Sequence, residues 1–98
     1  MEVDYKSNSL KKICTNAAVA ERTYGQKMAE KIHLRIDQIE SASTVEELIQ
    51  FHVGRCHMLT GDRKNQYAMD LVHPMRLVFV KRGNEIQIAR IIEIVDYH

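Results

Sequence analysis

The sequence predicts an α+β fold in which helices come first and an antiparallel sheet follows. Apolar residues recur at helical spacing through the first half of the chain, whereas from His57 onward they alternate at every second position. Turn-forming residues fill 61–65 and 82–85, between the alternating runs, as they do in β-hairpins. This order predicts two packed N-terminal helices that cover one side of a small, mainly antiparallel β-sheet.

The first half contains a short strand at residues 3–5 and then the helices. Ser9 is the predicted N-cap of the first helix, and Gly25 ends that helix or bends it sharply. A second helix follows, whose apolar stripe consists of Met28, Ile32, Ile36 and Ile39. Two helices joined by so short a turn form an αα-hairpin. The run 44–47 has the spacing of a capping box and predicts a short helix over 45–49.

Three strands are predicted in the second half, at residues 66–71, 75–81 and 86–95. Pro74 lies between the first two, where its missing N–H does no harm. Both faces of the last strand are partly apolar, which is typical of a central strand. Alternation along it places the even-numbered residues from Ile86 to Ile94 on one face, and Asp96 and His98 continue that face.

Length and composition favour an ordinary globular protein. Ninety-eight residues correspond to one domain, residues 1–98, and 45% hydrophobic and 28% charged residues are usual values for such a domain. No apolar run approaches the length of a membrane span, and the first residues lack the pattern of a signal peptide. Cys14 and Cys56 are most simply interpreted as reduced thiols. We therefore expect a cytoplasmic protein.

The net charge of +1 hides an uneven distribution. Residues 55–90 carry seven bases and three acids, whereas residues 1–54 carry seven bases and eight acids. The positive excess thus lies in the half that contains His57 and His73. An anionic partner on one face is compatible with this asymmetry, although the charge alone does not require one.

The chain ends on Asp96-Tyr97-His98, directly after the strand-like run 86–95. A carboxylate, a phenol and an imidazole held by a rigid strand suggest acid–base chemistry on a small substrate group. The alternative interpretation is a solvated tail, because terminal residues often lack order.

Two other chemistries are weakly supported by the same half of the chain. His52, Cys56 and His57 form an H-x-x-x-C-H cluster, but a structural zinc site needs four ligands and no further pair has metal-ligand spacing. Catalysis by a Cys56–His57 pair is also disfavoured, because adjacent strand residues point to opposite faces. We therefore expect no metal and no other cofactor.

An ordered set of motifs runs through the chain. It comprises Tyr24-Gly25-x-x-x-Ala29, Arg55-x-His57-x-Leu59-x-Gly61-Asp62-Arg63-Lys64, Tyr67, Asp70-Leu71, Arg76-Leu77-Val78-Phe79 and the closing Asp96-Tyr97-His98. Together these motifs resemble the HigB branch of the RelE/ParE superfamily of bacterial toxin–antitoxin toxins. That resemblance implies a small antiparallel sheet with two packed helices, in agreement with the order of elements inferred above.

The resemblance also implies an activity, since active members of the family are metal-independent endoribonucleases that cut messenger RNA in the ribosomal A site. It implies catalytic roles for His57, Asp96, Tyr97 and His98. It implies a phosphate contact by Arg76 and contacts with RNA or the ribosome by Arg55, Arg63 and Lys64. The expected protein is thus a ribosome-dependent mRNA endonuclease, with a helix-turn-helix antitoxin as its partner in a hetero-oligomer and no membrane association.

The residue types fit that chemistry. Cleavage of RNA without a metal needs a base for the 2′-hydroxyl, an acid for the departing 5′-oxygen and cations beside the phosphate. Two imidazoles fill both proton roles near neutrality, although the sequence does not assign base and acid. Asp96 could orient one of the imidazoles, and Tyr97 could stack on a base or bind a phosphate.

Two alternative functions and two structural interpretations remain open at this point. The chain could be a ParE-like inhibitor of DNA gyrase, which resembles this fold but is not a nuclease. It could also be an inactive relative that only binds its antitoxin. At the level of residues, His57 could be a strand histidine with a structural hydrogen bond, and Arg76 could simply pair with Asp70 across the hairpin.

Overall fold

Helices and strands follow one another in the predicted order in the computed structural model, which describes residues 1–63 and 65–96. The strands are β1 Glu2–Tyr5, β2 His57–Met58, β3 Gln66–Asp70, β4 Met75–Arg82 and β5 Ile88–Asp96. The helices are α1 Asn8–Thr15, α2 Ala17–Tyr24, α3 Gln26–Ser41 and α4 Val45–Gln50. The predicted α+β class is confirmed.

The helical half differs from the prediction in two local features. The N-cap of α1 is Ser7, whose hydroxyl accepts from Leu10 N at 3.2 Å, so the prediction of Ser9 as the cap is wrong. The first helix is also split in two at Asn16, which has extended backbone angles and caps α2 by accepting from Val19 N. Asparagine favours such a break because its side chain replaces the lost backbone partner.

The two remaining helices begin where the sequence places them. Gly25 separates α2 from α3 with φ of +87°, a value that glycine adopts without a side-chain clash. Thr44 caps α4, since its hydroxyl accepts from Glu47 N at 3.2 Å. The Glu47 carboxylate in turn accepts from Ser43 N at 3.2 Å, one residue earlier than in an ideal capping box.

The five strands form one sheet in the order β1-β5-β4-β3-β2. β1 runs parallel to β5, and every other neighbouring pair is antiparallel. β5 has a neighbour on each side, which confirms the prediction of a central strand. The outer strand β2 is only His57–Met58 and pairs with β3, so that His57 lies opposite Ala68.

A β-bulge in β5 changes which of its side chains share a face. Phe79 lies opposite Ile91 and Val78 opposite Glu93, so that β5 has one residue more than β4 at Ile92. Ala89 and Ile91 join the core before the bulge, whereas Ile94 packs on the core after it. The prediction that even-numbered residues share one face along the whole strand is therefore wrong beyond Ile92.

The hydrophobic core lies between the helices and one face of the sheet. Its α3 contribution includes the predicted stripe, and its largest fully buried side chains include Phe79, Ile32, Ile39, Leu48 and Met69. Tyr67 stacks on Phe79 with ring centroids 5.6 Å apart. Within residues 1–63 and 65–96, no helix combines the length and the apolar character needed to cross a bilayer.

One buried polar side chain ties α4 to the sheet. Gln87, 5% exposed, accepts from the Val45 N–H at 2.8 Å and donates to the Glu46 carboxylate at 2.8 Å. The Glu46 carboxylate also accepts from Lys81 on β4 at 2.8 Å. Hydrogen bonds from Gln87 and Lys81 hold the pKa of Glu46 below its usual value. Gln87 thus satisfies an N–H group at the start of α4 that the helix itself leaves without a partner.

Replacing Gln87 should therefore destabilise the protein. We expect Gln87→Leu to lower the free energy of unfolding by about 1–3 kcal/mol, because the buried Val45 N–H loses its acceptor. Urea denaturation measures the change. Gln26→Leu, the same substitution at an exposed position of α3, should change stability by about 0.5 kcal/mol or less. Equal effects of both substitutions would contradict this role for Gln87.

Candidate active site

Five of the eight sequence-predicted site residues lie among the described residues: His57, Asp96, Arg76, Arg55 and Arg63. The other three, Tyr97, His98 and Lys64, lie outside them, and their predicted roles remain predictions. The described candidates come from the loop before β2, from β2 itself, from the turn before β3, from the start of β4 and from the end of β5. The sheet is therefore the element that brings them together.

The side of the sheet away from the helical core, here called the polar face, carries His57, Asp70, Arg76, Arg90 and Glu93. Residues that pair across strands point to the same side of a sheet. The register aligns His57, Ala68, Val78 and Glu93 in one row across four strands. It aligns Asp70, Arg76 and Val95 in a second row. His57 and Arg76 thus share a face, two strands apart and offset by two residues along the strands, which puts their Cα atoms roughly 12 Å apart.

Asp70 is the centre of the ionic contacts on the polar face. Its Oδ2 lies 3.2 Å from Arg55 Nε, and its Oδ1 lies 3.5 Å from Arg76 Nε. One carboxylate thus bridges two of the arginines that the sequence predicts as phosphate or RNA contacts. The Arg76–Asp70 pairing across the hairpin, which the sequence left open as a structural interpretation, is present.

His57 is half-buried, and its ring is held by the backbone. Nδ1 lies 2.8 Å from the carbonyl oxygen of Arg55. A carbonyl oxygen only accepts, so the hydrogen of this bond belongs to Nδ1. In the neutral imidazole the lone pair is then on Nε2. The geometry presents His57 as a proton acceptor at Nε2.

The loop that carries Arg55 and His57 has an unusual backbone. His52, Gly54 and Arg55 have φ values of +53°, +56° and +54°, in the left-handed region. Side chains other than glycine rarely adopt this region and are held there by their surroundings. In this conformation the Arg55 carbonyl faces the imidazole ring of His57, two residues later in the chain. Nothing in the hydrophobic pattern of the sequence indicates this conformation.

Arg35 supports this loop from the helical layer. Its Nε donates to the carbonyl oxygen of Asp70 at 2.6 Å, and its Nη1 donates to Gln38 at 2.9 Å. A Cβ at Gly54 would lie 2.7 Å from Arg35 Nε, so the guanidinium occupies the space that glycine leaves. Burial lowers the pKa of Arg35, while the nearby Asp70 charge acts in the opposite direction. Arg35 is a supporting residue that sequence reasoning did not identify.

Gly54→Ala should destabilise the fold by about 1–3 kcal/mol, because alanine adds backbone strain and a clash with Arg35. Truncation in Arg35→Ala removes the clash but not the strain. Gly54→Ala should therefore cost less in the Arg35→Ala background, with a coupling of at least about 0.5 kcal/mol in a double-mutant cycle. Urea unfolding of the four proteins measures it. Strict additivity would rule out the close approach of Gly54 and Arg35.

Arg63 also reaches the polar face. It lies in the 3₁₀ turn Gly61–Arg63 and forms an ion pair with Glu93 of β5. Its Nε donates to Gln66 at 2.9 Å. The sequence predicts Arg63 in a turn and as a contact with RNA or the ribosome, and in the folded chain its guanidinium lies against a carboxylate of the sheet. Glu93 is a second acidic residue that sequence reasoning did not connect with the site.

Asp96 does not belong to the polar face. The register places it opposite Met75, and Met75 packs on the core, whereas its neighbour Val95 lies opposite Arg76. Asp96 is exposed at the end of β5, at the same end of the sheet as Asp70 and Arg76. The group that holds the His57 ring is the Arg55 carbonyl. The predicted pair of Asp96 with His98 lies outside the described residues.

The described residues form neither a cysteine nucleophile at Cys56 nor a metal site. Cys56 is 4% exposed, and burial raises the pKa of its thiol to about 12. A thiol of this kind remains protonated and is a poor nucleophile at neutral pH. Within the part of the chain that the structure describes, no group of three His, Cys, Asp or Glu residues could hold a metal ion.

Both cysteines should resist alkylation in the folded protein. Burial raises the pKa of Cys14 and of Cys56 from 9.0 to about 12. Their thiolate fraction at pH 8 is then about a thousandfold below that of an ordinary thiol. Iodoacetamide labelling followed by mass spectrometry should show slow reaction in buffer and rapid reaction in guanidinium chloride. Fast labelling of Cys56 in the folded state would contradict its protonated, buried state.

The polar face is a surface rather than a deep pocket. A separate pocket of about 290 Å³ lies between α3 and α4, where Leu48, Phe51 and Val53 line it. None of the five described candidates lines this pocket. A broad face with several cations suits a polymeric substrate better than a small molecule.

The comparisons with known proteins identify the fold. No protein-family model and no curated protein matches the chain. A YoeB/ParE toxin from Agrobacterium tumefaciens matches in structure, with a TM-score of 0.66, 16% identity and 100% of both chains covered. The fold is that of the YoeB/ParE toxin. A YoeB–YefM complex from Staphylococcus aureus matches with a TM-score of 0.65 and 17% identity, over 100% of this chain and 97% of that chain.

A third similar structure is a YoeB dimer from Staphylococcus aureus, with a TM-score of 0.64 and 16% identity over 100% of this chain and 97% of that chain. These identities are low, so the likeness concerns the fold. It agrees with the resemblance, which implies two packed helices on a small antiparallel sheet. The sheet of this chain has five strands and is mostly antiparallel.

Proposed function

We propose that the chain is a toxin of a toxin–antitoxin system, a RelE/ParE-like protein of the HigB branch that cleaves messenger RNA on the ribosome without a metal. The observation that carries this proposal is the state of His57. Its Nδ1 is tied to a backbone carbonyl, and its face of the sheet also carries the Arg55 and Arg76 guanidinium groups. A base on the same face as two arginines meets the two requirements of cleavage at a phosphodiester, a proton acceptor and cations for the growing negative charge.

In the proposed reaction His57 is the general base. Nε2 removes the proton of the 2′-hydroxyl, and the 2′-oxygen attacks the adjacent phosphorus while the bond to the 5′-oxygen breaks. His57 becomes an imidazolium, and the Arg55 carbonyl continues to accept from Nδ1. His98 is then the candidate acid that gives a proton to the departing 5′-oxygen. Asp96 and Tyr97 remain the proposed supporting groups at this end of the chain.

The cations supply the second requirement. Negative charge grows on the phosphate oxygens as the 2′-oxygen attacks, and a fixed guanidinium stabilises that charge with little reorganisation. Arg76 is the proposed phosphate contact, since it lies near the start of β4, at the end of the sheet where β5 finishes. Arg55, Arg63 and Lys64 are the proposed contacts with the RNA backbone or ribosomal RNA.

The proposed partners follow from the same proposal. The similar YoeB structure in complex with YefM supports an antitoxin partner and a hetero-oligomer for this chain. A helix-turn-helix antitoxin remains the specific expectation from the HigB resemblance. The mRNA-bearing ribosome is the proposed target, and the cytoplasm is the proposed location.

Inducible expression with mapping of cellular mRNA 5′ ends tests the activity. The wild-type chain should stop growth and create new 5′ ends within coding regions. His57→Ala should reduce cleavage by about 10²–10⁴-fold, because the general base is lost. His98→Ala should give a loss of similar size if it is the acid. Antitoxin binding, measured by co-purification, should persist in both variants.

His33→Ala is the matched control. His33 lies on α3, and its Nε2 contacts the carbonyl of Ile13 at 3.3 Å, on the helical side of the sheet. This variant should cleave like the wild-type protein. Cleavage that survives in His57→Ala, or disappears equally in His33→Ala, would remove His57 from the proposed mechanism.

A second candidate function is inhibition of DNA gyrase, because the similar Agrobacterium tumefaciens protein is described as a YoeB/ParE toxin. The same expression experiment separates the two functions. Growth arrest with unchanged mRNA ends and reduced supercoiling of a reporter plasmid would favour gyrase. Binding of an antitoxin without growth arrest would indicate an inactive relative.

A further inference from the structure

We propose that Asp70 is a positioning residue of this site, which holds the guanidinium group of Arg76, and less tightly that of Arg55, in orientation toward the RNA phosphate. This inference rests on the proposed function and adds to it a residue with no assigned role. Asp70 has no part in the proton transfers. Its proposed role is exerted through the two arginines that it binds.

The two contacts of Asp70 differ in strength. The side chains of Asp70 and Arg76 are 27% and 23% exposed, whereas that of Arg55 is 74% exposed. Water screens an exposed ion pair and leaves a partly buried one stronger. Asp70 therefore restrains Arg76 more than Arg55, even though the Arg55 contact is shorter. Arg55 keeps freedom to adapt to the substrate.

Asp70 is itself fixed by its surroundings. It pairs with Arg76 in the ladder between β3 and β4, and its carbonyl oxygen accepts from Arg35 Nε at 2.6 Å. Leu71 N donates to the Met75 carbonyl at 3.0 Å, which closes the hairpin directly after Asp70. A carboxylate anchored on two sides can define the position of a long arginine side chain that would otherwise sample many rotamers.

The way in which Asp70 binds the arginines suits phosphate recognition. Both contacts are made at Nε, on one edge of each guanidinium group. The outer edge, formed by the two Nη atoms, matches the paired oxygens of a phosphate. The negative charge of Asp70 also offsets part of the positive charge of the two arginines. The arginines are therefore better oriented but attract the RNA backbone less strongly.

Asp70→Asn tests this role, because asparagine has the same shape without the charge. We expect kcat for cleavage of mRNA on programmed ribosomes to fall about 10-fold, since misplacing a phosphate contact costs rate. KM should be unchanged or lower, because one negative charge has been removed. Asp37→Asn, the same charge change at an exposed position of α3, should alter neither constant.

A measurement without RNA keeps this inference separate from the proposed function. In ¹⁵N NMR spectra of the free protein, the Arg76 Nε–H signal should shift and its hydrogen exchange should accelerate in Asp70→Asn but not in Asp37→Asn. An unchanged Arg76 signal would overturn the positioning role whether or not the protein cleaves RNA. Absence of cleavage by the wild-type chain would instead overturn the proposed function.

The remaining outcomes are also decisive. A rise in KM with unchanged kcat in Asp70→Asn would overturn the role, because Asp70 would then serve binding alone. If Asp70→Asn does not fold, Asp70→Glu takes its place, since it keeps the charge and moves the carboxylate by one methylene group. A shifted Arg76 signal with reduced kcat in that variant supports positioning, and wild-type values for both contradict it.

Discussion

The hydrogen bond from Arg35 to the carbonyl of Asp70 is the contact on which the candidate site depends. It joins α3, in the helical layer, to the end of β3 at 2.6 Å. Arg35 also fills the space beside Gly54, and so fixes the loop that delivers Arg55 and His57. Asp70 then binds Arg55 and Arg76 on the polar face. Arg35 has no proposed contact with the substrate. It nevertheless helps to set the relative positions of Arg55, His57 and Arg76, which have such contacts.

The elements of the fold could largely be predicted from periodicity. The helical stripe of α3, the alternation in β3 and β4 and the apolar character of β5 all reflect which side chains must be buried, and burial is the strongest signal in a sequence. The sequence was less informative about where each helix or strand begins and ends. Ser7 and Ser9 are both residue types that cap helices, and in the structure Ser7 is the cap of a helix that buries Leu10 and Cys14 in the core.

The candidate site was less predictable than the fold, for two physical reasons. The bulge at Ile92 depends on how β5 fits between β4 and β1, which alternation within one strand does not reveal, and it moves Asp96 to the face opposite His57. The loop with three left-handed residues lies against Arg35 at Gly54, and Arg35 is far away in the sequence. By contrast, the pairing of Asp70 with Arg76 could be expected, since a hairpin brings residues on either side of its turn together.

The low net charge of the chain needs a different interpretation once the ion pairs are known. Arg55 and Arg76 lie against Asp70, and Arg63 lies against Glu93, so these cations of the polar face are partly neutralised by carboxylates of the sheet. Affinity for an RNA backbone depends on how many phosphates are neutralised and how many counterions are released. Arginines already paired with acids contribute less to this attraction, but they are held in place before a phosphate arrives. Such a face is suited to an RNA that is already held by a larger assembly such as the ribosome. Orientation at the scissile bond then matters more than affinity for free RNA.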